Sequence, residues 1–136
     1  MVITVDFTGQ TPIYAQLRDQ IVAGIAGKAL RPGETLPSVR RLAADIGAHA
    51  HTVNKAYTML RDEGYIEIDR RSGCYVSQAL PPADERFDTA LRERLLPLAA
   101  AAAAHGMRAE EFQALCGKIY EQCTMHNAQC TIGEPA

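Results

Sequence analysis

Polar and cationic side chains concentrate in one part of the sequence, at a spacing that suits contact with nucleic acid. Hydroxyl and amide groups can hydrogen-bond base edges or phosphates, and lysine and arginine pair with phosphates. A hairpin tip predicted downstream adds Arg70 and Arg71. We expect all of these side chains to line one surface that docks on DNA. On the predicted helix pair the candidates are Arg40, Arg41, His49, His51, Thr52, Asn54 and Lys55.

Each of these groups also has an ordinary structural interpretation. Two adjacent arginines are most often a solvated helix face, and the two histidines could simply cap the helix that they begin. The arginines of the hairpin could belong to an ordinary polar turn. Three tyrosines fall in register with apolar residues, so we expect them to be core residues and not base-stacking platforms: Tyr14, Tyr57 and Tyr65.

A second group of chemically active residues lies near the C-terminus. Cysteines recur there every seven residues, and a histidine follows the second of them, which gives Cys116, Cys123, His126 and Cys130. Thiolate and imidazole are preferred metal ligands, so a thiol or metal sensor is one hypothesis. The stronger interpretation is packing, because cysteine on an apolar stripe behaves as a small hydrophobe. A disulfide along one helix is excluded because the first two cysteines would lie about 10 Å apart. We therefore expect neither a metal nor a cofactor.

The first elements are predicted from apolar periodicity and turn residues. Residues 2–7 alternate apolar and polar side chains, which indicates a short strand. Apolar residues then repeat every four positions, which indicates a helix capped by Thr11, with Pro12 at its first position and Gly27 at its end. A turn follows at residues 30–34.

The next elements place the polar set. A short helix opens at Pro37 and Ser38 and ends at Gly47, and a third helix runs from about residue 50 to 63. Residues 65–68 and 74–76 have the pattern of a hairpin, in which Cys74 is a structural residue. Two helices joined by a tight turn and followed by a basic hairpin are typical of a winged helix-turn-helix domain.

Composition and charge limit the class of protein. The chain has 136 residues, is 47% hydrophobic and carries a formal charge of −2, so affinity for DNA must come from a local basic patch. Residues 1–78 hold nine Lys and Arg against eight Asp and Glu, whereas residues 79–136 hold five against eight. No signal peptide or membrane span is evident, so we expect a cytoplasmic protein with no membrane partner.

A proline pair after residue 78 divides the chain. We expect a winged helix-turn-helix domain over 1–78, a linker over 79–85, a helical dimerisation region over 86–125 and a flexible tail over 126–136. The fold is thus mainly α with a small β-hairpin. Pro97 should kink or break the helix that contains it. The apolar stripes of the two C-terminal helices need a partner, for which a second copy is the simplest choice. The dimerisation candidates are Leu91, Leu95, Leu98, Phe112, Leu115 and Ile119.

Four sequence blocks occur in order between about residues 10 and 77. They read Pro12-Ile13-Tyr14-x-Gln16-Leu17, Leu30-x-Pro32-Gly33-Glu34-x-Leu36-Pro37-Ser38-Val39-Arg40-x-Leu42-Ala43, Thr52-Val53-x-Lys55-Ala56-Tyr57-x-x-Leu60 and Glu63-Gly64-Tyr65-Ile66. These blocks resemble the GntR family of bacterial transcription regulators. The short helical C-terminal part resembles the YtrA subfamily, whose tail serves chiefly for dimerisation.

The resemblance implies that Arg40 and Thr52 contact DNA and that the other candidates on the third helix face it. One departure lies at the hairpin tip, where the family usually has Gly-x-Gly and this chain has Arg71-Ser72-Gly73. Gly73 matches the second glycine and joins the DNA-binding candidates. Loss of the first glycine could alter the turn, while the added arginine could strengthen contact with DNA.

The function favoured by these observations is that of a homodimeric, sequence-specific regulator, most simply a repressor, that binds an inverted-repeat operator in double-stranded DNA. One alternative is a winged-helix module for protein–protein contact, and another is thiol- or metal-responsive control through the C-terminal part. An unknown small effector could bind between protomers. We expect no enzyme, because the sequence lacks a nucleophile elbow, a phosphate-binding loop and a dinucleotide fingerprint.

Overall fold

The computed structural model describes residues 2–125 and contains five helices and one hairpin. The predicted fold class, mainly α with a small β-hairpin, is confirmed. Within residues 2–125, every helix is too short or too polar to cross a membrane. In chain order the elements are α1 (Ile13–Ala26), α2 (Val39–Ile46), α3 (Ala50–Asp62), β1 (Ile66–Asp69), β2 (Gly73–Val76), α4 (Glu85–Ala104) and α5 (Ala109–Thr124).

One hydrophobic core holds the elements that precede Pro81. Helix α3 lies at its centre and packs on α1, on α2 and on β1. The core therefore fixes the recognition candidates on α3 relative to both the preceding helix and the hairpin. Its buried members are Leu17, Ile21, Leu30, Leu36, Leu42, Ala43, Val53, Ala56, Tyr57, Leu60, Ile66, Cys74 and Val76.

The N-terminal segment is not a strand, and the predicted strand at residues 2–7 is wrong. Glutamine side chains on α1 hold this segment in place of a neighbouring strand. The Gln16 amide accepts from the Asp6 backbone N–H at 2.8 Å and donates to the Asp6 carbonyl at 2.9 Å. Gln20 makes the same pair of bonds with the backbone of Thr4. Two glutamines one helical turn apart thus satisfy the extended backbone that a strand partner would otherwise satisfy.

Helix α1 begins one residue later than predicted. Thr11 does not cap it, since Pro12 is the N-cap residue and no side chain completes the cap. The Pro12 carbonyl accepts from the N–H groups of Ala15 and Gln16 at 3.1 Å each. Gln16 also donates from its side chain to the Thr11 carbonyl at 2.8 Å, which ties the segment before the helix to its first turn. Gly27 ends α1 as predicted.

The hairpin is one side of a larger wing. Strands β1 and β2 pair antiparallel, with Ile66 opposite Val76. The turn predicted at residues 30–34 is present at Pro32 and Gly33, and Thr35 directly after it pairs with the other edge of β2 through a bridge to Tyr75. Leu36 N–H donates to the Cys74 carbonyl at 2.8 Å. Because β2 is bonded on both edges, the wing and the start of α2 are held in register.

The C-terminal helices form a separate compact unit that spans Pro82–Gln122. Asp84 caps α4 by accepting from the Phe87 N–H at 2.9 Å. Of the kink or break predicted at Pro97, the break is wrong, because α4 continues through this residue for 20 residues in all. Alanine residues 99–104 follow the proline, and their high helix propensity offsets the hydrogen bond that it removes. Neither α4 nor α5 has a buried residue.

Candidate nucleic-acid interface

A hydrogen bond links the middle of α3 to the segment that leads into α2, and these two helices carry most of the candidates. The Tyr57 hydroxyl donates to the Pro37 carbonyl at 2.7 Å. Next to this contact, Ser38 caps α2 by accepting from the Arg41 N–H at 3.1 Å. Gly47, with φ of 74°, turns the chain between α2 and α3 in the left-handed conformation that side chains disfavour. The predicted ends of α2 are thus confirmed.

The solvent side of α3 carries the predicted polar set. Val53, Ala56, Tyr57 and Leu60 face the core, so the intervening positions point outward. His49 is the N-cap residue, but its side chain makes no capping hydrogen bond, which removes capping as its explanation. Thr52 is half-buried, and the exposed members of the set on this helix and its cap are His49, His51, Asn54 and Lys55.

Two arginines lie in the first turn of α2, and both are exposed. The Arg40 side chain makes no ion pair or hydrogen bond with any other residue that the structure describes. Arg41 Nε lies 3.9 Å from Asp45 Oδ2 across solvent, a contact of little energetic value. The first turn of α2 contains no acidic residue. Cations at a helix N-terminus oppose the helix dipole, so this end of α2 carries positive charge that no residue of its first turn balances.

The hairpin tip presents its two arginines to solvent. Asp69 Oδ1 accepts from the Arg71 N–H at 2.9 Å, and this bond orders the turn. Gly73 adopts a φ of 78°, a conformation suited to glycine, at the start of β2. Arg71, which stands in place of a first glycine, has no positive φ, since Lys28 is the one non-glycine residue between 2 and 125 that does. The turn therefore accommodates arginine without backbone strain.

Lys55 is in contact with an aromatic ring that the sequence did not link to it. Its Nζ lies 3.9 Å from the centroid of the Tyr14 ring, on α1. Tyr14 and Tyr65 are half-buried against the core and Tyr57 is fully buried, as predicted. The prediction for Tyr14 was nevertheless incomplete, because the same ring also reaches the polar face of α3. A contact between residues 41 positions apart has no signature in local periodicity.

A second set of contacts between α1 and α3 involves residues that the sequence did not single out. Arg18 Nε donates to Glu63 Oε1 at 3.1 Å, directly after α3. The Arg18 guanidinium also pairs with Asp19 at 2.9 Å and lies 5.7 Å from the centroid of the Tyr65 ring. Hydrogen bonding to Glu63, with a smaller contribution from Asp19, raises the pKa of Arg18. This half-buried network anchors the end of α3 that lies away from the recognition candidates.

The cysteines fall into two environments. Cys74 is buried in the core, and burial raises the pKa of its thiol to about 11, so it is protonated and inert at neutral pH. Cys116 is exposed and Cys123 is half-buried. Among residues 2–125, no three His, Cys, Asp or Glu side chains are grouped as a metal site. His126 and Cys130 lie outside the described residues, so the sensor hypothesis stays a prediction.

The dimerisation candidates share one property in the single chain, which is exposure of apolar surface. Leu91, Leu95 and Leu98 on α4 are 44%, 40% and 63% exposed. On α5, Leu115 and Ile119 are 44% and 50% exposed. Phe112 is half-buried. No residue of α4 or α5 is buried within the part of the chain that the structure describes.

Comparison with known proteins identifies relatives of this chain. The family profile of bacterial regulatory proteins, gntR family, matches residues 11–76. The HTH-type transcriptional regulator Rv1152 of Mycobacterium tuberculosis is 37% identical over 89 residues, which cover 65% of this chain and 73% of that protein. The HTH-type transcriptional repressor YtrA of Bacillus subtilis is 43% identical over 76 residues, which cover 56% of this chain and 58% of that protein.

Solved structures show the same fold. YtrA from Sulfolobus acidocaldarius, a GntR-family transcription factor, is similar at a TM-score of 0.60 with 38% identity, over 74% of this chain and 99% of that chain. AraR(DBD), solved in complex with operator ORX1, is similar at a TM-score of 0.51 with 26% identity, over 57% of this chain and 99% of that chain.

Proposed function

This chain belongs to the GntR family of DNA-binding transcription regulators and is similar to its YtrA members, and from this we propose that it is a homodimeric repressor that binds an inverted-repeat operator. It acts on DNA in the cytoplasm of the cell. The family consists of regulators, which agrees with the proposal of a binding function without catalysis.

The observation that carries the proposal is the cationic N-terminus of α2 beside the polar face of α3. Arg40 is exposed and makes no ion pair within the described chain, and no carboxylate in the first turn balances its charge. A phosphate or a guanine edge would supply the missing acceptors. In the proposed complex, Arg40, Thr52 and Asn54 reach the major groove, and Arg41 and Lys55 hold the phosphate backbone.

The remaining candidates extend this contact in two directions. His49 and His51 stand at the leading end of α3, where the first base edges would be met. Arg70 and Arg71 project from the ordered hairpin tip and reach the adjacent groove or backbone, with Gly73 permitting the turn. Affinity then depends on this local patch and not on the overall charge of −2.

A second copy of the chain is the proposed partner of the C-terminal unit. Helices α4 and α5 contain 20 and 16 residues but bury none of them. Helices of this length with exposed leucine stripes need a packing partner, and pairing about a two-fold axis buries the same stripe on both copies. A two-fold dimer presents two copies of α3 to an inverted repeat whose half-sites lie about one helical turn apart.

The repressor role rests on the relative from Bacillus subtilis, which is named as a transcriptional repressor and is 43% identical over the matched residues. The proposed mechanism is occlusion, in which the docked dimer blocks access of the transcription machinery to a promoter. Such a mechanism requires tight and selective binding and no chemical step.

Fluorescence anisotropy with the DNA upstream of the protein's own gene tests the proposal. We expect tight binding to this duplex, weaker binding to a scrambled duplex, and a steep loss of affinity as salt increases. The stoichiometry should be two chains for each duplex. Equally weak binding to both duplexes, and to any sequence recovered by selection from a random library, would contradict the assignment and favour a protein-contact module.

A further inference from the structure

The contact between Lys55 and Tyr14 joins the polar face of α3 to a different helix. Lys55 Nζ lies 3.9 Å from the centroid of the Tyr14 ring, well within the range of a cation–π interaction. Lys55 is otherwise exposed. An exposed lysine ordinarily samples many rotamers around a flexible four-carbon stem. Here the aromatic face selects the rotamers that keep the ammonium against it.

The position of the ring is set by the core and not by Lys55. Tyr14 is the second residue of α1, and its half-buried side chain packs against the buried cluster. One helical turn further on, Leu17 is fully buried, and α1 packs along α3. The ring is therefore a fixed platform beside the first half of α3, and it holds its place whether or not the lysine is present.

The Lys55 ammonium can still donate hydrogen bonds while it lies against the Tyr14 ring. An ammonium has three donors and no acceptor, and a ring face engages only one side of it. Within residues 2–125, Lys55 Nζ has neither a carboxylate partner nor a hydrogen-bond acceptor. Thr52 lies three residues earlier, at the spacing of neighbours on one helix surface, so Lys55 belongs to the same polar face of α3. A phosphate oxygen would complete the contact.

We propose that Tyr14 is a positioning residue for DNA binding, whose ring holds the Lys55 ammonium in the place where it donates to a backbone phosphate. This inference rests on the proposed function. Because the ring orders the lysine before DNA arrives, less rotamer freedom is lost on binding. Removing the ring should weaken binding by about 2- to 10-fold, the range expected for the ordering of one flexible side chain.

A double-mutant cycle tests the link between the two residues. The variants are Tyr14→Leu, Lys55→Met and the two combined, with Tyr14→Phe as the conservative change that keeps the ring face. The probe is a labelled duplex of mixed sequence, about 30 base pairs long to span two half-sites, because phosphate contacts do not depend on sequence. Anisotropy titrations over a range of salt give the affinity and the salt slope.

We expect Tyr14→Leu to weaken binding only when Lys55 is present, and Tyr14→Phe to recover most of the loss. Lys55→Met should lower the slope of log affinity against log salt by about 0.9, the value for one phosphate contact. A loss in Tyr14→Leu that persists in the Lys55→Met background, or no loss at all, would overturn the proposal. If the wild-type protein binds no duplex at any salt, the proposed function fails instead.

A spectroscopic readout on the wild-type protein covers the case in which Tyr14→Leu does not fold. The tyrosine ring current should shift the Lys55 ε-methylene proton resonances upfield in the free protein. We expect that shift to persist when the mixed-sequence duplex is added to saturation. If the shift disappears in the complex, the lysine leaves the ring to reach the phosphate, and the positioning role is wrong.

Discussion

The hydroxyl of Tyr57 donates to the carbonyl of Pro37 at 2.7 Å, and this bond joins the middle of α3 to the residue that precedes the cap of α2. The Tyr57 ring is 1% exposed, and burial raises the pKa of its phenol, so the hydroxyl remains a donor at every physiological pH. Arg40 and Arg41 follow in the first turn of α2, two and three residues after the cap residue Ser38. The bond therefore holds the cationic end of α2 beside the polar face of α3.

Tyr57→Phe should reduce the free energy of unfolding by about 1 kcal/mol, because it removes one hydrogen bond and leaves the Pro37 carbonyl without its donor. Urea unfolding measures this change. The matched control is Tyr75→Phe, since the Tyr75 hydroxyl makes no hydrogen bond with the described part of the chain. Equal stability of the two variants would show that the bond does not hold α2 and α3 together.

Gln16→Leu should release the N-terminal segment. The Gln16 amide is buried and bonds to the backbone of Asp6 and of Thr11, so its loss leaves three backbone groups without partners. We expect the free energy of unfolding to fall by about 1–3 kcal/mol and the Asp6 amide proton to exchange faster. Gln10→Leu is the control, because Gln10 is exposed. Unchanged exchange at Asp6 in Gln16→Leu would refute the role of the glutamine.

Cys74 should resist alkylation in the native protein while Cys116 reacts. Burial holds the Cys74 pKa at about 11, above the ordinary value, whereas Cys116 is exposed. Iodoacetamide treatment at neutral pH followed by peptide mass mapping compares the two thiols. Rapid labelling of Cys74 at a pH where the protein is folded would contradict its place in the core.

The same pKa shift predicts how stability changes with pH. The unfolded chain loses the Cys74 proton near pH 9, whereas the folded chain keeps it up to about pH 11. The folded state thus binds more protons in this window, so the free energy of unfolding falls as pH rises from 9 to 11. Cys74→Ala should lack this component of the decline. If the free energy of unfolding fell equally between pH 9 and 11 in the wild type and in Cys74→Ala, the prediction would be wrong.

Ile119→Asp should convert the proposed dimer to a monomer, because a carboxylate in the packed stripe would be desolvated without a partner. Analytical ultracentrifugation measures the mass. The control is Ala114→Asp, which places the same charge on the opposite face of α5 by helical spacing. If Ile119→Asp remained a dimer, or if both variants were monomers, the apolar stripe that contains Ile119 would not be the dimer interface.

Much of the fold follows from local sequence signals. The ends of α2 at Ser38 and Gly47 were predictable because a side-chain cap or a left-handed turn is specified by the residue that forms it. Gly27 ends α1 as predicted, although its φ is −83° and the left-handed residue that follows is Lys28. The hairpin was also predictable, since alternating apolar residues flank a polar turn. The candidates on α3 are solvent-facing or half-buried for the same reason, as helical periodicity separates them from the core positions.

The features that the sequence did not predict depend on distant partners. Residues 2–7 alternate apolar and polar side chains as a strand does, but no strand among residues 2–125 pairs with them. Their backbone hydrogen bonds are made instead with the side chains of Gln16 and Gln20, which lie on α1. The pairing of Thr35 with β2 and the contact of Tyr14 with Lys55 join segments about 40 residues apart. At Pro97, the high helix propensity of the alanines that follow keeps α4 continuous. A proline predicts a helix end more reliably where its neighbours have lower helix propensity.

The most direct test compares the DNA affinity of Arg40→Ala with that of Arg61→Ala. Both arginines are exposed, but Arg40 lies at the N-terminus of α2 beside the polar face, and Arg61 lies at the far end of α3. On the duplex upstream of the protein's own gene, Arg40→Ala should weaken binding by about 1–3 kcal/mol, while Arg61→Ala stays close to the wild type. Equal effects of the two substitutions would contradict the proposed interface.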